Sequence, residues 1–211
     1  MVKKLFGLLL ILTLVSAFTF VAFAQEDIEV KTVEEEEEGA SALQVKVQKV
    51  VVNPTPAFGV DVWVDRGDGG VYRPGDRLYV YFKADRDCYL TLIDFPPQGG
   101  VTIIFPNAYH SDNFIRANRI YRIPAASYGF DFIVEGPPGT EVIKAIATLG
   151  RVSLTPRALS EYGGYEESGF AEVAENDMEG ADFVEALAVK VKPVPTKEWA
   201  SDSVTFYVRY Q

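Results

Sequence analysis

The sequence predicts a mainly β protein: an antiparallel β-sandwich, immunoglobulin-like in character, with one or two short helices in a C-terminal insertion. Short segments rich in Val, Ile, Tyr and Phe are separated by clusters of Gly, Pro, Asn and Asp, which is the pattern of strands joined by turns. No helical segment recurs between these strands, as a parallel sheet would require. The predicted strands cover residues 43–52, 60–64, 78–84, 88–95, 101–105, 119–123, 130–134, 142–149 and 204–210.

The first residues have the features of an export signal. Lys3 and Lys4 precede a long apolar run that ends in Ala-Phe-Ala before Gln25. This order is typical of a secretory signal peptide spanning residues 1–24 and predicts cleavage after Ala24. A retained membrane anchor is the alternative, because the apolar run approaches the length that spans a bilayer. We therefore expect an exported protein that is periplasmic, on the cell surface or extracellular.

Net charge and cysteine content restrict the function further. The chain carries a net charge of −10, and loss of Lys3 and Lys4 with the signal peptide brings it to −12. Such a chain repels nucleic acid and anionic lipid, so we expect no nucleic-acid partner and no membrane contact except through an uncleaved signal peptide. Cys88 is the single cysteine and lies in a strand-like run, which predicts a buried, unreactive thiol and no intramolecular disulfide.

Composition and hydrophobic pattern divide the chain after the signal peptide into an acidic linker, a β domain and an insertion within that domain. Residues 25–42 contain five consecutive glutamates and few apolar groups, and they are predicted to form an acidic disordered linker. Residues 43–211 are predicted to form a single β-sandwich domain with a closing strand at 204–210. The insertion at about 151–199 carries signals for short helices at 155–160 and 178–187.

The stretch VDRGDGGVYRPGD at residues 64–76 raises the question of a metal site. It lies between two strand-like segments, and its Asp-Gly-Gly and Arg-Pro-Gly-Asp sequences are turn signals that account for its composition. Calcium binding is the alternative, because carboxylates on a glycine-rich loop offer hard oxygen ligands, although the EF-hand pattern is absent. The candidate calcium ligands are Asp65, Asp68, Asp85 and Asp87.

Four short motifs, taken in order, resemble a known bacterial family. They are Val-Tyr-Arg-Pro-Gly-Asp at 71–76, Cys-Tyr-Leu-Thr-Leu-Ile-Asp at 88–94, Ile-Phe-Pro-Asn at 104–107 and Gly-Pro-Pro-Gly-Thr-Glu at 136–141. Together they are similar to the domain-of-unknown-function family DUF4384, which is seen in exported and cell-envelope proteins. The likeness covers about residues 60–149. It implies a β-rich fold and an envelope location, and it supplies no catalytic activity.

The residues offer little that would support catalysis. His110 is the only histidine, so a zinc site of the usual Cys/His kind is excluded, and no phosphate-binding or nucleophile motif occurs. Thirty acidic residues guarantee chance carboxylate pairs, and nothing in the sequence marks any of them as buried. We therefore predict a protein that is not an enzyme and needs no cofactor, with calcium as the alternative.

Aromatic residues near strand ends suggest a binding surface instead. Rings beside polar side chains in the region 107–121 and just beyond it can anchor a protein partner or stack on sugars. The predicted binding residues are Asn107, Tyr109, Phe114, Tyr121 and Tyr128. The predicted function is that of a secreted cell-envelope module acting by protein binding or surface assembly, with an envelope protein or cell-wall component as partner. A calcium-dependent surface or glycan-binding domain is the alternative.

Overall fold

The computed structural model describes residues 51–152, 154, 170–172, 187–188 and 191–210. Within these ranges the chain forms twelve β-strands and one short 3₁₀-helix at Thr196–Glu198. The strands are β1 Val60–Val64, β2 Gly70–Tyr72, β3 Arg77–Leu78, β4 Val80–Ala84, β5 Cys88–Phe95, β6 Thr102–Phe105, β7 Phe114–Ile115, β8 Tyr121–Ile123, β9 Phe132–Ile133, β10 Gly139–Thr148, β11 Ala171–Glu172 and β12 Trp199–Val208. No helix in the described ranges is long and apolar enough to cross a membrane.

Two antiparallel sheets face one another. The smaller has the order β1-β4-β8. The larger has seven strands in the order β11-β6-β5-β10-β12-β2, with β7 also pairing with β5. Its pairings are antiparallel except that of β12 with β2, which is parallel. The short strands β3 and β9 form a separate antiparallel pair.

Both faces of the seven-stranded sheet are buried. On one face, Leu90 and Leu92 join Val62, Phe82 and Phe206 in the core between the two larger sheets. On the other face, Ile93 and Phe95 pack in a second core that also contains the side chains of Val51, Leu154, Leu187, Val191 and Trp199. This double burial explains why β5 reads as a nearly continuous apolar run rather than an alternating one.

The stretch at residues 64–76 forms turns, as its composition predicts. The Gly67 N–H donates to the Val64 carbonyl over 2.9 Å, and the Asp76 N–H donates to the Arg73 carbonyl over 2.9 Å. Gly75 has a φ of 94°, a conformation that favours glycine. The turn interpretation is therefore confirmed, with the short strand β2 inserted between the two turns.

The predicted fold class is confirmed: the protein is mainly β, with antiparallel sheets arranged as a β-sandwich. Its immunoglobulin-like character stays a prediction. The predicted strands 60–64 and 88–95 match β1 and β5, whereas the closing strand begins earlier than predicted, at Trp199. The predicted signal peptide, the acidic linker, most of the strand at 43–52, the helix at 155–160 and most of that at 178–187 lie outside the described residues, although Leu187 and Ala188 are helical.

Candidate functional site

Asn107 organises the loop that the sequence analysis proposed as a contact surface. Its side chain is fully buried, and its Nδ2 donates to the Ile104 carbonyl over 2.9 Å and to the Tyr128 hydroxyl over 3.4 Å. Its Oδ1 accepts from the backbone N–H groups of Tyr109 (3.0 Å) and His110 (2.9 Å). This geometry favours a structural role for Asn107.

The other predicted binding residues differ in accessibility. Tyr109 is 48% exposed, and its ring stacks at 5.4 Å between centroids on that of Tyr128, which is buried. Phe114 and Tyr121 are half-buried, and Tyr121 stacks on Phe82. Of the five, Tyr109 thus offers the most surface to a partner, and its binding role stays a prediction.

Asp65 and Asp68 are used by the turns themselves. The Oδ1 of Asp65 accepts from the Tyr72 hydroxyl over 2.8 Å and from the Tyr79 N–H over 3.0 Å. The Oδ1 of Asp68 accepts from the Thr205 N–H over 3.0 Å. Both carboxylates therefore fix the loop to neighbouring strands.

Asp85 and Asp87 lie in the turn after β4, at the opposite end of the β1–β4 pair from Asp65. Five residues of extended chain separate the two ends, roughly 15 Å. Asp85 accepts from the Gly59 N–H over 2.9 Å, and Asp87 accepts from the Ala117 N–H over 2.8 Å. The four proposed calcium ligands do not converge, and the described residues contain no group of three or more His, Cys, Asp or Glu that could hold a metal ion.

A pocket of about 260 Å³ lies between the β3–β9 pair and strands β5, β6 and β10 of the seven-stranded sheet. Its apolar wall is formed by Leu78, Val80, Ile104, Phe132, Ile143 and Phe170. Pro96 and Pro97, which follow β5, close one side, and Glu135, which follows β9, lies at the exposed rim. The sequence analysis did not find this pocket.

Two carboxyl groups meet in the pocket. Asp94 in β5 is registered opposite Ile143 in β10, so Glu141 is its diagonal neighbour on the same face of the sheet. The side chains of Asp94 and Glu141 hydrogen-bond to each other. Register thus brings together two half-buried acids that nothing in the sequence marks as a pair.

Burial raises the pKa of both carboxyl groups above the usual range, and the charge of Asp94 raises the pKa of Glu141 further. The pair therefore retains a proton more readily than an isolated carboxyl group does. Asp94 also accepts from the backbone N–H of Phe95. Its Oδ1 is buried and has no hydrogen-bond partner among the described residues.

The arrangement suits cation binding better than hydrolysis. A hydrogen-bonded pair is closer than the roughly 5–9.5 Å that separates glycosidase carboxyl groups. Acyl transfer develops negative charge on an oxygen, whereas Asp94, Glu141 and Glu135 make this pocket anionic, and no Lys, Arg or His lines it within the described residues. The pocket can accept N–H donors.

Cys88 matches its predicted state. The thiol is buried, and burial raises its pKa to about 12, with smaller contributions from Asp87 and Asp85. A thiol that stays protonated is a poor nucleophile.

The fold and the pocket together define a mainly β, sandwich-type protein with an acidic cavity beside a small accessory strand pair. Residues 71–150 match the model of a family described as Domain of unknown function (DUF4384), which confirms the resemblance drawn from the sequence motifs. Every pocket-lining residue except Phe170 lies within that segment. Comparison with curated proteins and with solved structures gives no significant match.

Proposed function

We propose that this protein is an exported, non-enzymatic module of the cell envelope that acts by binding a protein partner, and that the acidic pocket receives one side chain of that partner. The observation that carries the proposal is the hydrogen-bonded carboxyl pair of Asp94 and Glu141 in a cavity that has one extended apolar wall. The envelope location is supported by the signal-like residues 1–24 and by the resemblance to an exported family.

The size of the cavity indicates what it can hold. A volume of about 260 Å³ falls below the roughly 300–1,000 Å³ of pockets that enclose drug-sized ligands. One long side chain fits this space better than a glycan or a folded peptide. Apolar walls with a few polar groups that fix orientation are typical of a specific binding site.

Exposed residues around the pocket extend the contact surface. Ile133 lines the pocket and is 49% exposed, and Tyr109 contacts Phe170 on the same side. Large apolar and aromatic side chains at a rim are common in protein–protein interfaces. A partner whose side chain enters the pocket would therefore also cover Ile133.

Site-specific photocrosslinking tests this function. A photoreactive amino acid at position 133, in the chain expressed in its own host, is expected to capture a protein from the envelope fraction. The same group at Val71, which is 44% exposed and does not line the pocket, is the matched control.

A pocket-filling variant makes the test specific. Thr102 lines the pocket on β6, opposite Asp94, and Thr102→Phe places a strand-compatible ring in the cavity. We expect this change to abolish the product formed at position 133. Crosslinking that is equal at positions 71 and 133, or that survives Thr102→Phe in a folded protein, would contradict the proposal.

A further inference from the structure

Asp94 lines the pocket and carries one acceptor atom without a partner. This atom, Oδ1, has almost no solvent-accessible surface and makes no hydrogen bond among the described residues. A buried, unsatisfied acceptor is unfavourable, so a ligand that donates a hydrogen bond here gains more than it would from an exposed group.

The charge of the pocket selects a cationic donor. Its described lining residues include Asp94, Glu141 and Glu135 and contain no basic side chain. A carboxyl pair that shares one proton carries one negative charge, which one monovalent cation balances. Charge-assisted hydrogen bonds between N–H donors and carboxylates are stronger than neutral ones.

The geometry distinguishes between an ammonium and a guanidinium group. A guanidinium binds best through two parallel hydrogen bonds to both oxygens of one carboxylate. Oδ1 of Asp94 has almost no accessible surface, so the two oxygens cannot both face a guanidinium and this fork cannot form. An ammonium is a compact point charge whose donors can reach single oxygens.

The apolar walls select what carries the charge. Leu78, Val80, Ile104 and Phe132 surround the space in front of the carboxyl pair. A methylene chain can pack against such walls while its charged end reaches the carboxylate.

We propose that the pocket binds a primary ammonium group on an unbranched apolar stem, the chemistry of a lysine side chain of the partner protein. This inference rests on the proposed function, since it names the side chain that enters the pocket. The carboxyl pair accepts from the ammonium, and the stem lies between β3–β9 and the seven-stranded sheet.

The test uses pentan-1-amine as the probe and pentan-1-ol as its uncharged match. Each is titrated into the purified, ¹⁵N-labelled full chain, and amide shifts of the pocket-lining residues are followed by NMR. We expect the amine to shift these signals in a saturable way, and the alcohol to bind at least about tenfold more weakly.

Two substitutions distinguish the effect of the carboxyl pair on amine binding from the effect of the protein's overall negative charge. Asp94→Asn keeps the shape and removes the charge, and we expect it to weaken amine binding about tenfold. Glu198→Gln, at an exposed position outside the pocket lining, is the matched control and should change it less than about twofold. Asp94→Ser, which also removes the carboxylate, provides a second core variant in case Asp94→Asn does not fold.

The outcomes are distinct from those of the crosslinking test. Equal binding of the amine and the alcohol, or equal binding of the amine to the wild type and to the folded core variants, overturns the ammonium site. If crosslinking at position 133 still depends on an open pocket, the pocket holds a partner through different chemistry. If the amine binds as expected and crosslinking fails, the ammonium site stands and its source is a small amine rather than a partner protein.

Discussion

At the scale of single residues, Tyr72 joins the two turns of the 64–76 stretch. The side chain is fully buried, and its hydroxyl donates to Oδ1 of Asp65 over 2.8 Å and accepts from the Arg66 N–H over 3.2 Å. Burial raises the pKa of Tyr72, and the hydrogen bond to Asp65 adds to this effect. The phenol therefore stays neutral and acts as a fixed link between loop and core.

Removal of this hydroxyl should destabilise the fold. Tyr72→Phe leaves Asp65 with one partner fewer, and we expect a loss of about 1–2 kcal/mol in the free energy of unfolding. Urea denaturation measures it, with Tyr81→Phe at a half-buried position of β4 as control. An unchanged unfolding midpoint for Tyr72→Phe would show that solvent replaces the bond.

Asn107 is the second residue whose loss should be costly. Its side chain is inaccessible and hydrogen-bonds to β6, to its own loop and to the Tyr128 hydroxyl. Asn107→Ala leaves buried donors and acceptors unpaired, so we expect a loss of about 2–3 kcal/mol. Asn113→Ala, in the same loop and half-buried, is the control. A smaller loss than in the control would contradict the structural role.

At the scale of elements, the start of β10 fixes one wall of the pocket. A Cβ atom on Gly139 would lie 2.6 Å from Cβ of Pro97, closer than real side chains approach. Glycine is required here because the loop after β5 passes directly over the strand. The position of Pro97, which lines the pocket, therefore depends on the absence of a side chain at residue 139.

Gly139→Ala should move this wall. We expect a loss of about 1–3 kcal/mol in the free energy of unfolding and a displacement of the amide signals of Gln98 and Gly99 in NMR spectra. Gly150→Ala, where an added Cβ would meet nothing within 4 Å, is the matched control. If both variants behave alike, the contact with Pro97 is not limiting.

The elements show which strands a sequence can reveal. β5 was predicted with its observed bounds because an apolar run ends at Asp87 on one side and Pro96 on the other. β2, β7 and β11 were missed because two or three residues carry too little periodicity. Their pairing depends on neighbours that are distant in the chain.

At the scale of the whole molecule, the same limit explains why the pocket was missed. Asp94 and Glu141 lie in separate motifs, near the end of β5 and near the start of β10. A polar residue is ordinary at either place, so neither one draws attention by itself. Only the register that sets Asp94 opposite Ile143 places them together. An acid at an inward position of the otherwise apolar β5 was the one available signal.

This carboxyl pair should shape the pH dependence of stability. The pKa of each group is higher in the folded state than in the unfolded state, so the folded state binds more protons. The stabilisation is thus complete below the ordinary carboxyl range of about 4 and is lost as pH rises. Asp76 and Asp87 have the opposite effect at lower pH. Backbone N–H groups and arginines lower their pKa, so the stability that they contribute is lost as pH falls below about 4.

Lys144 should change the pH dependence of stability at high pH. Burial lowers its pKa from 10.5 to about 8, so the unfolded chain binds more protons between these values and stability rises with pH there. We expect a free energy of unfolding that declines from pH about 4 towards 8 and then flattens or recovers. Urea denaturation across this range measures the free energy of unfolding.

Glu141→Gln should remove most of the decline, and Lys144→Met should remove the recovery. Glu135→Gln, at the exposed rim, should change neither. A decline that persists in Glu141→Gln would mean that other groups bind the protons, and that the two carboxyl groups are less buried than their packing implies.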